Sequence, residues 1–461
     1  MTPARLSALD AAFLAIESEE APMHVGWAAL FAAPADGPAP AFEAIRDHIA
    51  SRLHRAPRYR QRLEHVPLDL DDPVWVDDPL FDVDSHVRHC EHGDFDRLVD
   101  EVMSTPLEHD RALWELWIAE ETEDGYVGVV GKAHHCLVDG LAAVELMALL
   151  LDASPEPDAD AEPDGDGAGG WLPRAVPNAA TLVGGAIANQ IDKAAAIARV
   201  PLGWLRDPLS MLDLPGQVWR VGQAVVHTAQ PLARPSRLNG TMPPARHLAR
   251  VSRPFEDLRI IKRHFGTTVN DVLLSASAGA LRGLLEERAE PLEDVKAMVP
   301  VSVQAPGESW GNRIVFMYLA LPLGEANPVW RLRDIHVAMR ERKREGEPEG
   351  LDMLFEAMRY APRPVRRVVS KMLSGPRLSN LTISNIPGPN VPLYLMGCEA
   401  QSAYPIVPLT NGHGISIGMT TIHERACFGV YAQVELAADA DRIARGIDEA
   451  IDELLELAKA A

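Results

Sequence analysis

One strand-to-helix junction constrains this chain more than any other feature of its sequence. Residues 126–133 are apolar and β-branched, as in a buried strand, and residues 141–150 have the composition and spacing of a helix. The loop between them reads His134-His135-Cys136-Leu137-Val138-Asp139-Gly140. Loops at the carboxyl end of a strand are where α/β folds place chemistry, and Gly140 can adopt the positive φ of a tight turn. The junction therefore predicts an α/β fold with a functional loop.

Two histidines and a carboxylate in this loop indicate proton transfer. The ordinary imidazole pKa lies near neutrality, so a histidine can take a proton from a hydroxyl and later return it. Asp139 follows at a spacing suited to holding the loop. Two other interpretations stay open: the histidines pack structurally at the strand end, or His and Asp bind a metal ion. Because no carboxylate or cysteine cluster stands at ligand spacing elsewhere, we predict no metal site.

Charge and cysteine usage narrow the class of protein. A formal net charge of -22 disfavours a general nucleic-acid binder, because the partner would carry a dense negative charge. The sequence starts without an apolar signal core, and no stretch is long and apolar enough to cross a bilayer. We expect a cytoplasmic protein in a reducing compartment, since the four cysteines are widely spaced. They are Cys90, Cys136, Cys398 and Cys427.

Composition divides the chain into three parts. Residues 154–170 are rich in proline, glycine and acidic residues, which cannot bury a core, so a solvated linker follows a first domain at residues 1–153. Residues 171–250 carry nine basic residues against three acidic, among tryptophans and apolar helical runs. This basic segment is either a helical bridge between domains or a surface for an anionic bilayer or lipid droplet. We assign residues 154–245 to the connector and 246–461 to a second domain of helices and strands.

The pattern His-His-x-x-x-Asp-Gly between a strand and a helix resembles the active-site motif of the CoA-dependent acyltransferase superfamily. Further segments, from about residue 6 to about residue 430, resemble the bacterial wax ester synthase/diacylglycerol acyltransferase family in content and order. These segments are Leu9–Leu14, Met23–Gly26, Arg58–Leu63, Phe81–Arg88, Leu238–Gly240, Val269–Leu273, Pro300–Ser302, Gly311–Asn312 and Ser384–Pro389. One motif departs from the family: its Pro-Leu-Trp reads Ala112-Leu113-Trp114 here, which frees one φ angle beside the expected channel.

The resemblance implies a two-domain α/β fold like that of chloramphenicol acetyltransferase, with the motif loop in an interdomain tunnel. Acyl-CoA, as co-substrate and without a cofactor, would enter from one side and diacylglycerol or a long-chain alcohol from the other. His135 would take the proton from the acceptor hydroxyl, Asp139 would hold the loop through an arginine, and His134 would support it. Because neutral lipids do not dissolve, we expect peripheral association with the inner membrane or with lipid droplets.

The same resemblance suggests substrate-binding residues. Asn270, Ser302 and Ser384 are candidate hydrogen-bond donors to the tetrahedral oxyanion. Purely structural roles are also open for two of them. Asn270, or its neighbour Asp271, would cap a helix that begins near residue 269, and Ser384 would stabilise the turn at Pro387-Gly388-Pro389. For Asn385, as a substrate-binding candidate, the two interpretations are a side chain that faces the tunnel or one that only stabilises the turn, and Trp114 belongs to the motif beside the channel.

Two functions of other classes also fit the motif. A condensation enzyme of peptide or polyketide assembly shares the histidine pattern but takes its acyl group from a carrier protein. A non-catalytic lipid-droplet protein would keep the fold without the activity. The presence of both His135 and Asp139 argues against the non-catalytic protein, whereas turnover of free acyl-CoA would separate the favoured acyl-CoA-dependent enzyme from the condensation enzyme. Cys136 is expected to be a small packed residue rather than a nucleophile.

Overall fold

The computed structural model describes residues 3–34, 37–138, 150–156, 171–206, 226, 230–240, 243–302, 314–389 and 391–460. The helices of this part are α1 (Ala8–Ile16), α2 (Phe42–Arg52), α3 (Phe95–Ser104), α4 (Ala179–Arg206), α5 (Phe255–Phe265), α6 (Val269–Glu287), α7 (Pro328–Arg344), α8 (Glu347–Met358), α9 (Arg363–Leu373) and α10 (Ala437–Ala460). The strands are β1 (Ala4–Arg5), β2 (His24–Ala32), β3 (Gln61–Glu64), β4 (Val74–Asp77), β5 (Val87–His89), β6 (Trp114–Ala119), β7 (Tyr126–His134), β8 (Arg246–Pro254), β9 (Val295–Ser302), β10 (Ile314–Leu321), β11 (Leu381–Ile386), β12 (Tyr394–Leu395), β13 (Cys398–Ile406), β14 (Ile415–Ile422) and β15 (Arg425–Gln433).

The first large sheet places the motif at the end of a central strand. Its order is β12-β13-β2-β7-β6-β5, and β7 pairs antiparallel with β2 on one side and β6 on the other. The amide of His134 donates to the carbonyl of Leu113 at 3.0 Å, and the amide of His135 donates to the carbonyl of Met23 at 3.0 Å. The predicted strand before the motif is confirmed, and both neighbours fix its carboxyl end.

The second large sheet carries the core of the C-terminal half. Its order is β10-β9-β11-β14-β15-β8, with β11 parallel to both β9 and β14 and the other pairs antiparallel. The helices α5, α6, α7 and α10 cover one face, and together they bury the largest apolar cluster of the described chain. Residues 255–265 form α5, and β11 ends at Ile386, directly before Pro387.

A segment of the C-terminal half joins the first sheet, which the sequence-derived domain boundaries did not anticipate. Residues 394–406, expected in the second domain, form β12 and β13 and extend the first sheet through pairing of β13 with β2. Pro405 of β13 then abuts the second sheet, where a Cβ on Gly429 would lie 2.3 Å from the Pro405 carbonyl oxygen. Only glycine permits this close approach, so β13 brings the two sheets together.

Most described basic residues of the segment 171–250 bind partners within the chain. Arg174 pairs with Asp77 at 2.8 Å, and Lys193 lies 3.6 Å from Asp71. Further ion pairs are Arg234–Glu293, Arg237–Glu290 and Arg250–Asp96. These contacts support the bridging interpretation for this part of the segment. The structure does not describe the side chains of Arg199 and Arg206. Arg220 and linker residues 157–170 also lie outside the described residues. Within the described chain, no helix combines the length and apolar character needed to cross a membrane.

Candidate active site

An apolar cavity of about 390 Å³ lies between the two large sheets. This volume falls within the range typical of small-molecule sites. Strands β2, β7 and β13 of the first sheet and β9, β10, β11 and β14 of the second contribute lining residues, as do α1, α8 and α9. His135 lines the cavity together with the turn that follows β11. The predicted placement of the motif between the two halves therefore agrees with the geometry.

The imidazole of His135 is held by an aromatic ring from α1. Phe13 stacks on it with 3.6 Å between ring centroids and 17° between ring planes. Nδ1 of His135 is buried, close to the residue's own backbone, and bonds no other residue of the described chain. Such stacking restricts rotation of the imidazole and fixes which edge it presents to the cavity.

Burial sets the protonation state of His135. Because the apolar surroundings disfavour the imidazolium, and because His134 lies beside it, the pKa of His135 falls to about 4. His135 is therefore neutral at pH 7, with a lone pair free to accept a proton. A neutral imidazole at the wall of a cavity is the form that a general base requires.

His134 takes part in a second cluster, directed away from His135. Its Nδ1 accepts a hydrogen bond from the amide of Cys136 at 3.0 Å, which leaves Nε2 as the donor nitrogen of the ring. That Nε2 lies 3.4 Å from Oε1 of Glu17, without regular hydrogen-bond geometry. His109 Nε2 hydrogen-bonds the same oxygen at 3.2 Å. Glu17 thus joins the motif loop to the segment before β6.

The charge of Glu17 is well stabilised. Burial alone would raise the pKa of this carboxyl, but His109 and His134 outweigh burial and lower it to about 2. The carboxylate in turn raises the pKa of His109. Glu17 is also the C-cap of α1, where its amide donates to the carbonyl of Phe13. One helix end therefore contacts both histidines of the motif, His135 through Phe13 and His134 through Glu17.

Trp27 forms part of the cavity wall beside the motif strand. It pairs with Gly131 of β7 across the first sheet, and its indole lies directly over that glycine. A Cβ at position 131 would lie 2.5 Å from the indole Cε2, so any larger residue would displace Trp27. Gly131 therefore determines the shape of this wall.

The structure brings some of the predicted site residues to the cavity and leaves others outside it. Ser384 lines the cavity, whereas Asn385, its neighbour on β11, does not, because successive strand residues point to opposite faces. Trp114 is fully buried in the N-terminal core, where Nε1 donates to the Tyr59 carbonyl at 2.7 Å. Ser302 ends β9, with Ile314 as its backbone partner. Asp139 lies outside the described residues.

The helix cap near Asn270 differs from the sequence prediction. Thr268, rather than Asn270 or Asp271, is the N-cap of α6, because its hydroxyl can accept from the Asp271 amide. Asp271 completes a capping box by accepting from the Thr268 amide at 2.9 Å. Asn270 is half-buried in the first turn and does not line the cavity. The carboxylate three residues after a threonine was the signal for this cap.

Sequence reasoning missed the roles of Phe13, Glu17 and His109. Phe13 lies in the segment Leu9–Leu14, which indicated only the family. No pattern of neighbouring residues linked Glu17 or His109 to the motif. Cys136 is buried in the N-terminal core, and burial raises the pKa of its thiol well above the usual value. A protonated thiol is a poor nucleophile, in agreement with its expected packing role.

Comparisons with known proteins agree with this geometry. Residues 6–273 match the wax ester synthase/diacylglycerol acyltransferase catalytic domain, and residues 310–455 match the WS/DGAT C-terminal domain. A Mycobacterium tuberculosis protein named probable diacylglycerol O-acyltransferase tgs1 is 30% identical over 466 residues, which cover 98% of this chain and 96% of that protein.

Two solved structures share the fold. The wax ester synthase/diacylglycerol acyltransferase from Marinobacter aquaeolei VT8 aligns with a TM-score of 0.68 at 23% identity, over 99% of this chain and 100% of that one. The first condensation domain of the calcium-dependent antibiotic synthetase aligns with a TM-score of 0.57 at 17% identity, over 99% and 96%. The expected two-domain, chloramphenicol acetyltransferase-like architecture is thereby confirmed. With both family domains matched along most of its length, the chain belongs to the wax ester synthase/diacylglycerol acyltransferase family and is an acyltransferase.

Proposed function

We propose that this enzyme transfers a long-chain acyl group from acyl-CoA to the free hydroxyl of diacylglycerol, giving triacylglycerol, and also accepts long-chain alcohols. The observation that carries the proposal is a neutral histidine, His135, at the wall of an apolar cavity between the two sheets. The cavity suits an acyl chain, and the name of the Mycobacterium tuberculosis relative supports diacylglycerol as acceptor. No cofactor beyond the acyl-CoA co-substrate takes part in this proposal.

Transfer is direct in this proposal. Nε2 of His135 takes the proton of the acceptor hydroxyl as its oxygen attacks the thioester carbonyl carbon. The tetrahedral intermediate collapses, the carbon–sulfur bond breaks, and the proton passes to the departing CoA thiolate. No acyl-enzyme is required, because the thioester is already activated and the cavity aligns the two partners.

Two supporting roles complete the proposal. Ser384 is the favoured donor to the oxyanion, since it lines the cavity and Asn270 does not. Asp139 orients the motif loop by pairing with an arginine and does not itself transfer protons. Asp139→Asn should then lower the melting temperature together with the activity, because a buried arginine without its partner costs about 3 to 5 kcal/mol. An unchanged melting curve with activity lost would make Asp139 a direct participant.

The decisive experiment offers purified enzyme palmitoyl-CoA with diolein or with hexadecanol, and separates the lipid products by thin-layer chromatography. His135→Ala should reduce transfer by about 10²- to 10⁴-fold, because a general base typically contributes that much. His134→Ala should reduce acyl transfer by a smaller factor than His135→Ala. An active His135→Ala with an inactive His134→Ala would reverse the two roles.

The same assay addresses the two other functions. A condensation enzyme needs an acyl group on a carrier protein, so turnover of free acyl-CoA without any carrier eliminates that alternative. Lipid binding without turnover in either reaction would instead identify a non-catalytic lipid-droplet protein. We further propose that the enzyme works in the cytoplasm, peripherally on the inner membrane or on lipid droplets, because its acceptor resides in a lipid phase.

A further inference from the structure

The helix α9 leaves most of its apolar stripe uncovered. Apolar side chains recur along it at the spacing of one helical face. Leu373 is half-buried and lines the cavity, whereas Val365, Val368 and Met372 are 50%, 58% and 66% exposed. Three large apolar groups in a row on one surface helix are unusual for a face that only meets water.

This helix separates the cavity from the exterior. Ser370 and Leu373 line the cavity from α9, as do Phe13 and neighbouring residues from α1, which packs against α9. The exposed stripe is therefore the outer side of a wall one helix thick. A lipid phase in contact with the stripe would lie one helix diameter from the space that we assign to the substrates.

Basic side chains flank the stripe. Arg367 and Lys371 lie one turn apart on the exposed side of α9, and neither forms an ion pair with any described residue. The inner arginines of the helix behave differently: Arg366 pairs with Asp72 at 2.6 Å, and Arg363 lies 3.1 Å from the same carboxylate. In a chain of net charge -22, two free cations beside an apolar stripe form a local surface that suits an anionic partner.

We propose that the outer face of α9, defined by Val365, Val368, Met372, Arg367 and Lys371, docks the enzyme on an anionic lipid surface. The apolar groups enter the boundary between headgroups and acyl chains, and the two cations contact anionic headgroups. The choice of lipid as occupant rests on the proposed function, which requires an acceptor drawn from a lipid phase.

A lipid surface fits this face better than a second copy of the chain. Stable protein interfaces bury about 800 Å² on each partner, far more than three side chains of an 11-residue helix supply. If two copies of the chain packed through this face, Arg367 and Lys371 of each copy would approach those of the other, and the like charges would repel. A neighbouring loop adds to the lipid-facing character: Leu68 is 89% exposed, and Arg363 donates to the carbonyl of the adjacent Asp69 at 2.8 Å.

The test compares binding of three variants to phosphatidylcholine vesicles with and without phosphatidylglycerol, by sedimentation. Val365→Gln/Val368→Gln/Met372→Gln should bind both kinds of vesicle at least tenfold more weakly than wild type. Arg367→Gln/Lys371→Gln should lose roughly 30-fold on anionic vesicles only, at about fivefold per charge. The matched control, Val337→Gln/Leu457→Gln, alters exposed apolar residues on α7 and α10 and should bind like wild type.

Several outcomes would overturn the proposal. They are wild-type protein that never sediments with vesicles, a triple variant that binds like wild type, and a triple variant that changes only from dimer to monomer in light scattering. Turnover of a short, dissolved acceptor should be unchanged in the triple variant, because its three residues do not line the cavity. If wild type shows no acyl transfer while vesicle binding still depends on the stripe, the proposed function fails and the docking surface stands.

Discussion

The phenyl ring of Phe13 stacks on the imidazole of His135, with 3.6 Å between centroids and nearly parallel planes. The two residues belong to α1 and to the loop after β7, so the contact joins the first helix of the chain to the motif. The same helix ends at Glu17, which approaches His134. Both motif histidines are therefore positioned by α1, and this relationship is open to direct measurement.

Replacing Phe13 with leucine should lower kcat by roughly tenfold, because the imidazole loses the flat surface that fixes its orientation, at about 1.4 kcal/mol of barrier. The near-conservation of volume should keep the loss of unfolding free energy below about 1.5 kcal/mol. Phe13→Tyr keeps the aromatic face and serves as the control for kcat and melting temperature. Equal activity of the leucine and tyrosine variants would show that stacking does not orient His135.

Glu17→Gln should reduce kcat while leaving KM nearly unchanged, because the residue supports the motif without lining the cavity. Loss of the hydrogen bond between His109 and the charged carboxylate should also lower the free energy of unfolding by about 1.5 to 3 kcal/mol. Steady-state kinetics and urea unfolding measure the two effects, with exposed Glu19→Gln as the matched control. A rise in KM alone would instead place Glu17 among the substrate contacts.

The acid limb of kcat/KM should lie near pH 4, not near 6.5. In the proposed mechanism the neutral imidazole of His135 is the active form. Burial lowers its pKa to about 4, so we expect activity to be lost only as the pH falls through that value. At pH 5.5 a histidine of ordinary pKa would be about 90% protonated and activity would drop roughly tenfold. We expect near-full kcat/KM at pH 5.5 on a dissolved acceptor.

The pH dependence needs a stability control, since burial also lowers the pKa of His413 to about 4. The unfolded chain protonates both histidines at a higher pH than the folded chain does. Their contribution to the free energy of unfolding is therefore complete above pH 6.5 and is lost as the pH falls toward 4. Melting temperatures recorded at each pH separate unfolding from protonation of the base. An acid limb centred near 6.5 in fully folded enzyme would contradict the assignment of His135.

Gly131→Ala should deform the cavity wall. The new methyl group would lie 2.5 Å from the indole of Trp27, so the indole must shift, and KM for the acyl substrate should rise several-fold. Gly184→Ala is the matched control, because a Cβ on α4 at that position meets open space and should stabilise the helix slightly. Subtracting the fluorescence spectrum of a Trp27→Phe variant isolates the emission of Trp27, which reports the displacement of its indole. An unshifted Trp27 spectrum together with a normal KM would contradict the prediction.

The sequence determined the features that depend on neighbouring residues. The strand before the motif, the histidine pair at its end and the capping carboxylate Asp271 are all readable within a few positions, because period, turn chemistry and caps are local properties. The order of these segments also specified the family, and with it the two-domain fold and the expected base, His135.

Only the tertiary structure decided which distant residues serve the site. Phe13 and Glu17 reach the motif because α1 packs beside the end of β7, and no local pattern carries that information. Trp114, adjacent to the motif strand in the sheet, lies in the core instead of the cavity. The apolar stripe of α9 predicts a buried face, yet α1 and the cavity cover only one edge of it. Packing between elements far apart in sequence, rather than propensity, determines which side of a helix or strand meets substrate, core or solvent.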